Sequence, residues 1–196
     1  MGNIDTKNYK RKHPPKPYMG ESGQVHQGIY VPENPGKVLG GEIITRSSWE
    51  MAFARWCDTN PMVVEWGCET VKIQYRNPAG IDFAVCKSTK CDPANPINWP
   101  IANYYPDFYV HLIDDKDEDN KIEKKWMIEI KPLYQTQRPT PPPQGSKLKT
   151  IRAYNDAVRT YLQNKAKWEA ANIWCKDHGI DFYVFTEDTL HKIGLI

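Results

Sequence analysis

Two short stretches hold the residues best suited to chemistry. Pro106-Asp107 is followed, after 21 intervening residues, by Glu129-Ile130-Lys131. Successive side chains of a β-strand face opposite ways, so Glu129 and Lys131 are expected on one side and Ile130 in the core. If the strand after Asp107 turns back and pairs with this one, two carboxylates and an ammonium converge at one end of a sheet. Carboxylate oxygens are hard ligands for Mg²⁺ or Mn²⁺, and a neighbouring cation stabilises charge or orients a water. Hydrolysis of a phosphodiester needs such a set. Neither carboxylate is a good nucleophile here, so water activated by the metal is the expected attacking group.

Further acidic candidates lie upstream. Glu50 follows Ser47 at the spacing of a capping box, in which the serine caps a helix and the glutamate returns a hydrogen bond to the cap's backbone N–H. That role is compatible with a place in a metal site. Glu65 and Glu69 are weaker candidates, since Glu65 alternates with Val64 and Trp66 as the wet face of a strand would. His111 falls an even number of residues after Asp107 and so shares its face, but a lone histidine reads as a packing or surface residue. Between Lys147 and Lys176 stand seven basic and two acidic residues. A surplus of that sign on a helix attracts phosphate without reading sequence. A solvated helix face would carry the same charges, and composition alone does not separate the two; with a nuclease site upstream, DNA contact is expected at Lys165, Lys167 and Arg152.

These residues must be held by ordered elements. Trp49, Phe53 and Trp56 recur at helical spacing, and Asn60-Pro61 ends that helix. Strands are expected over 62–66, 71–75, 81–86, 104–113 and 125–130, with a hairpin turn at 77–80 and a long loop over 87–100. The acidic run 114–119 reads as a solvated hairpin tip. It lacks the glycine and glutamate that an EF-hand loop needs at its sixth and twelfth positions. After a proline-rich stretch, a long helix is expected over 147–177, ended by Gly179, and then a strand over 180–185. Trp168 and Trp174 are expected in the core. The reading is an α/β protein with a sheet covered by helices.

Composition narrows the class. The chain has 196 residues, a formal net charge of +2 and 40% apolar residues, enough for a core without disulfides or a structural metal. No apolar run is long enough to cross a membrane, and the basic, proline-bearing start has no signal-peptide core. Five cysteines without CxxC spacing fit reduced thiols better than a disulfide framework or a zinc site. Residues 1–40, with five prolines and six glycines, read as an extended arm that is unstructured or laid over a partner. Lys10-Arg11-Lys12 reads as part of a solvated tail.

The pieces resemble the PD-(D/E)xK nuclease superfamily in Pro106-Asp107, in Glu129-Ile130-Lys131, and in an acidic residue, Glu50, on a helix before the sheet. Residues 46–58, Val64-Glu65-Trp66, Tyr105-Pro106-Asp107-Phe108-Tyr109-Val110 and Ile128-Glu129-Ile130-Lys131-Pro132 are similar to head completion nucleases of T4-like phages. The same order is similar to the N-terminal nuclease domain of Tn7-type transposase endonuclease subunits. The likeness spans residues 40–190 or so. It implies a restriction-endonuclease-like fold, a mixed central sheet flanked by helices, over 41–196. It also implies Mg²⁺ or Mn²⁺ on Asp107, Glu129 and Glu50, with Lys131 at the phosphate. The implied substrate is double-stranded DNA, finished in the host cytoplasm and in the virion head or neck before tail attachment. The arm would then meet portal or neck proteins. Two alternatives stay open at this stage: a structural head-completion or neck protein with little cleavage, and a junction resolvase or transposase-type endonuclease.

Overall fold

The computed structural model describes residues 28–114 and 122–196. The basic triplet Lys10-Arg11-Lys12 and most of the acidic run lie outside the described residues. In chain order the elements are β1 (Gly28–Tyr30), β2 (Ile43–Thr45), α1 (Ser48–Thr59), β3 (Val63–Cys68), β4 (Ile73–Arg76), α2 (Phe83–Thr89) and β5 (Ile101–Tyr104). Then follow β6 (Phe108–Asp114), β7 (Ile122–Ile130), α3 (Leu133–Thr136), α4 (Leu148–Asp177), β8 (Asp181–Phe185) and α5 (Glu187–Lys192). They form two compact units. One comprises the described residues up to Lys72 with Tyr105–Ile130 and Cys175–Ile196; the other comprises Ile73–Tyr104 and Lys131–Trp174.

The first unit is built on a sheet of order β3-β6-β7-β8, antiparallel except for the parallel pair β7-β8. Alternation on β6 and β7 sends Phe108, Val110, Ile128 and Ile130 to one face, where they join Phe53, Ala54 and Cys57 of α1 in the core. Phe53 is central: its ring meets those of Trp56, Phe108 and Phe185 at centroid distances of 5.4, 4.9 and 5.9 Å. Truncating such a ring to alanine costs roughly 3–5 kcal/mol. α1 starts where expected, with Ser47 Oγ accepting the Glu50 N–H at 3.1 Å, and stops at Asn60.

Residues 28–37, read from sequence as the end of an extended arm, are tied into this unit. β1 pairs with β2, and Tyr30 is buried. The tie is Asp58 at the end of α1. Its carboxylate accepts from Tyr30 OH at 2.8 Å and from the backbone N–H groups of Glu33 and Asn34 at 2.7 and 3.0 Å. Lys37 Nζ adds bonds to the carbonyls of Asp58 and Asn60. Further on, Leu39 N–H donates to Trp66 C=O at 2.7 Å. Gly67 permits this approach, since a Cβ there would stand 2.9 Å from Leu39 O.

The expected single meander is two sheets. Among the described residues β4 and β5 pair only with each other, in the second unit, and the expected strand over 104–113 is cut at Pro106, which has no N–H for a ladder. The expected strand over 81–86 is replaced by helix α2, where Cys86 N–H bonds Asp82 C=O at 2.9 Å. The turn expected at 77–80 is a 3₁₀ turn capped by Asn77. Two cysteines expected to be free are joined. Lys90 adopts a left-handed backbone (φ 57°), Cys91 N–H reaches Cys86 C=O, and Cys86–Cys91 form a disulfide. Cys57, Cys68 and Cys175 are free thiols.

The long helix α4 runs 30 residues to Asp177, ending on Gly179 with φ 67°, as expected. Its middle is fixed to the β4-β5 pair: Gln163 Nε2 donates to Tyr75 OH at 3.0 Å, and Lys167 Nζ lies 5.6 Å from the Tyr104 ring centroid. Trp168 and Trp174, expected in the core, are only half-buried.

Candidate active site

The acidic site is set by register. Phe108 pairs with Ile128 at the end of the antiparallel β6-β7 ladder, and continuing that register one step past the start of β6 brings Asp107 to the position opposite Glu129. Both residues are withdrawn from water, Asp107 with 8% and Glu129 with 3% of its surface exposed. Asp107 Oδ2 accepts the Ile130 backbone N–H at 2.7 Å, so a side chain continues the ladder past the strand. A carboxylate has about four lone-pair directions, and this bond uses one of them.

The row extends across a third strand. Cys68 pairs with Phe108 in the β3-β6 ladder, and one step on the Glu69 N–H donates to Asp107 C=O at 3.1 Å. Glu69 has a left-handed backbone (φ 50°), uncommon outside glycine. Its carboxylate pairs with the Arg46 guanidinium through Nη1. That hydrogen bond is the main reason the Arg46 pKa lies above its ordinary value, against the opposing effect of burial. Arg46 N–H in turn donates to Glu50 Oε2 at 2.8 Å, while Ser47 Oγ donates to Glu50 Oε1 at 3.1 Å. A chain of contacts thus links Glu50, Arg46, Glu69, Asp107 and the end of β7. The Cys68 thiol reports the crowding: burial first, then the charges of Glu69, Glu50 and Asp107, push its pKa well up.

Glu50 therefore takes the expected capping role with one change. It returns its bond to the N–H of Arg46, the residue before the cap, rather than to Ser47. β7 ends at Ile130, so strand alternation orders Glu129 and Ile130 but stops short of Lys131. Lys131 is half-buried and is the first residue of the second unit. That unit also holds Arg152 and Lys165, both exposed on α4, and the half-buried Lys167. Arg152 and Lys167 are roughly 22 Å apart along the helix axis.

His111 shares the face of Asp107, as expected, but roughly 13 Å along the strand. It lies opposite Lys125 on one side and Glu65 on the other, with Nε2 2.9 Å from Glu123 Oε1. Glu65 and His111 thus belong to a mixed-charge patch away from the acidic row. Sequence reasoning passed over Arg46 and set Glu69 aside. No local pattern marks either: they meet through a cap, a left-handed turn and a strand pairing that only the fold supplies.

Among the described residues, no three His, Cys, Asp or Glu side chains converge as a ready-made metal cage. Mg²⁺ does not call for one, because it is commonly held by one or two carboxylates plus waters and substrate phosphates. The facing pair Asp107 and Glu129 fits that donor set, and both offer the hard oxygens that Mg²⁺ and Mn²⁺ prefer.

A mixed sheet flanked by helices, with this row at its end, is a restriction-endonuclease-like fold. Residues 60–187 match the family described as TnsA-like endonuclease N terminal, and the chain belongs to that family. It is also 31% identical over 172 residues to the head completion nuclease of Enterobacteria phage T4, covering 87% of this chain and 97% of the relative.

Proposed function

We propose that this protein is a divalent-metal-dependent endodeoxyribonuclease that processes double-stranded DNA as a phage head is completed. The observation that carries the reading is the pair of buried, like-charged residues Asp107 and Glu129 facing each other at a strand end. Like charges directly opposite destabilise a sheet, and a cation between them offsets that cost. Asp107 and Glu129 are the residues that would hold Mg²⁺ or Mn²⁺, with Glu50 supporting them from the start of α1. A bound divalent cation would supply neutralisation of phosphate oxygens and a more acidic water. Lys131 acts on the phosphate, where its ammonium opposes the negative charge that builds during displacement. Arg152, Lys165 and Lys167 contact the DNA backbone by charge, without reading sequence.

The head-completion context comes from the T4 relative and its name. The proposal extends this to work in the host cytoplasm during assembly, with the N-terminal arm meeting portal or neck proteins. No helix among the described residues is long and apolar enough to cross a membrane.

Purified protein incubated with linear, supercoiled and branched DNA in Mg²⁺, Mn²⁺ or EDTA tests the reading. Cutting is expected with metal and not with EDTA, and Lys131→Ala is expected to abolish it with folding intact. Cutting of branched DNA alone would point to a resolvase instead. Absence of cutting with every metal would leave a structural completion protein.

A further inference from the structure

Glu50, Glu69, Asp107 and Glu129 gather negative charge at one end of the sheet, yet the proposed substrate is itself a polyanion. A phosphate approaching that end is repelled unless cations meet it. A divalent ion answers part of the charge, and the first unit carries an answer of its own in Arg46.

Arg46 is tied to the acidic row twice. Its backbone N–H is held by Glu50 and its Nη1 by Glu69, while 46% of the side chain stays exposed. A guanidinium presents five N–H donors in a planar fork, more than one carboxylate oxygen can use. The remaining donors suit the oxygens of a phosphodiester, which a guanidinium grips in a bidentate manner. The backbone of Glu69 supplies an independent sign. A non-glycine residue in the left-handed region is disfavoured and persists where its surroundings impose it, often at functional positions. Here that conformation belongs to the residue whose carboxylate pairs with Arg46.

The geometry points to Arg46 as a residue that grips a backbone phosphate of the DNA, with Glu69 as the positioning residue that orients its guanidinium. This assignment rests on the endonuclease reading and adds the substrate-holding group that reading lacks in the first unit.

The test measures binding of a short labelled duplex in EDTA across a salt series, together with steady-state cleavage in Mg²⁺, for wild type, Arg46→Ala, Arg46→Lys, Glu69→Gln and the Arg46→Ala/Glu69→Gln double variant. Arg46→Ala is expected to weaken binding roughly tenfold or more, as loss of one charge-assisted contact does. It should also lower the slope of log affinity against log salt by about one. KM should rise with much less change in kcat, and Arg46→Lys should recover part of the loss. In the Glu69→Gln background, Arg46→Ala should cost less, because an unoriented guanidinium grips less firmly. An unchanged salt slope and KM in Arg46→Ala overturn the assignment. So does an equal loss in the alanine and lysine variants that follows a fall in melting temperature. If wild type binds DNA but never cuts it, the endonuclease reading falls by itself, and the salt slope still decides the role of Arg46.

Discussion

Two acidic places in the first unit meet the cost of burial in opposite ways. Asp58 is fully buried and surrounded by donors: the Tyr30 hydroxyl and the backbone N–H groups of Glu33 and Asn34. Burial alone would raise its pKa, but these hydrogen bonds outweigh it and hold the carboxyl below its ordinary range. Asp107 and Glu129 are almost as deeply withdrawn, yet each has another carboxylate opposite it. A buried acid ringed by donors anchors chain to chain. A buried acid facing another acid suits a site that binds a cation, even where, as at Asp107, a backbone N–H also bonds it. The difference separates structure from function without appeal to residue type, since aspartate serves in both.

Breaking each place should give opposite results, and the largest effect belongs to the facing pair. Asp107→Asn or Glu129→Gln should reduce cleavage by roughly a thousandfold or more, because several kcal/mol of charge stabilisation depend on the held cation. The same variants should melt at or above the wild-type temperature in calorimetry without metal, since a repulsion is lifted. A clear drop in stability would erase the contrast with Asp58. Next in size, Asp58→Ala strands three donors and should cost about 3 kcal/mol, a fall of about 6–12 °C in melting temperature. Its cleavage per folded molecule should match wild type.

The pH dependence sharpens the same contrast. A carboxyl whose pKa is lowered on folding contributes stability that is present above its unfolded value, about 3.9, and is lost as pH falls through the folded value. Urea melts at neutral pH and stepping down below about pH 4 should therefore show a steep loss for wild type and a flatter one for Asp58→Asn. The smallest effect is expected at the exposed patch. Glu123 pairs with Lys125 and His111 in water, so Glu123→Gln should leave the melting temperature unchanged within error.

What the sequence discloses and what it hides divide along a physical line. The placement of Asp107 and Glu129 at adjoining ends of β6 and β7 is legible because strand alternation and the antiparallel pairing of neighbouring strands follow from local rules. Helix α1 is legible through its cap and its Trp49-Phe53-Trp56 face, and α4 through its length and terminal glycine. The split into two sheets is not read correctly, although Pro106 carries the signal: a residue without an N–H interrupts a run otherwise rich in strand formers. Helix α2 is missed because Phe83, Val85 and Cys86 suit a strand by type, and tertiary context overrides a weak local preference. The Cys86–Cys91 bond follows from a left-handed Lys90 that no composition argument reaches. Arg46 and Glu69 belong to the same class, being distant in sequence and brought together by the cap of α1, the left-handed turn after β3 and the β3-β6 pairing.

The parallel pairing of β7 with β8 has a consequence for synthesis. Residues 127–130 gain their second neighbour only from the stretch 182–185, and Leu190 beyond it completes the core. A ribosome must thus have made the chain through Phe185 before the strand bearing Glu129 is enclosed. A nonsense codon anywhere upstream of Asp181 leaves that strand with a bare edge.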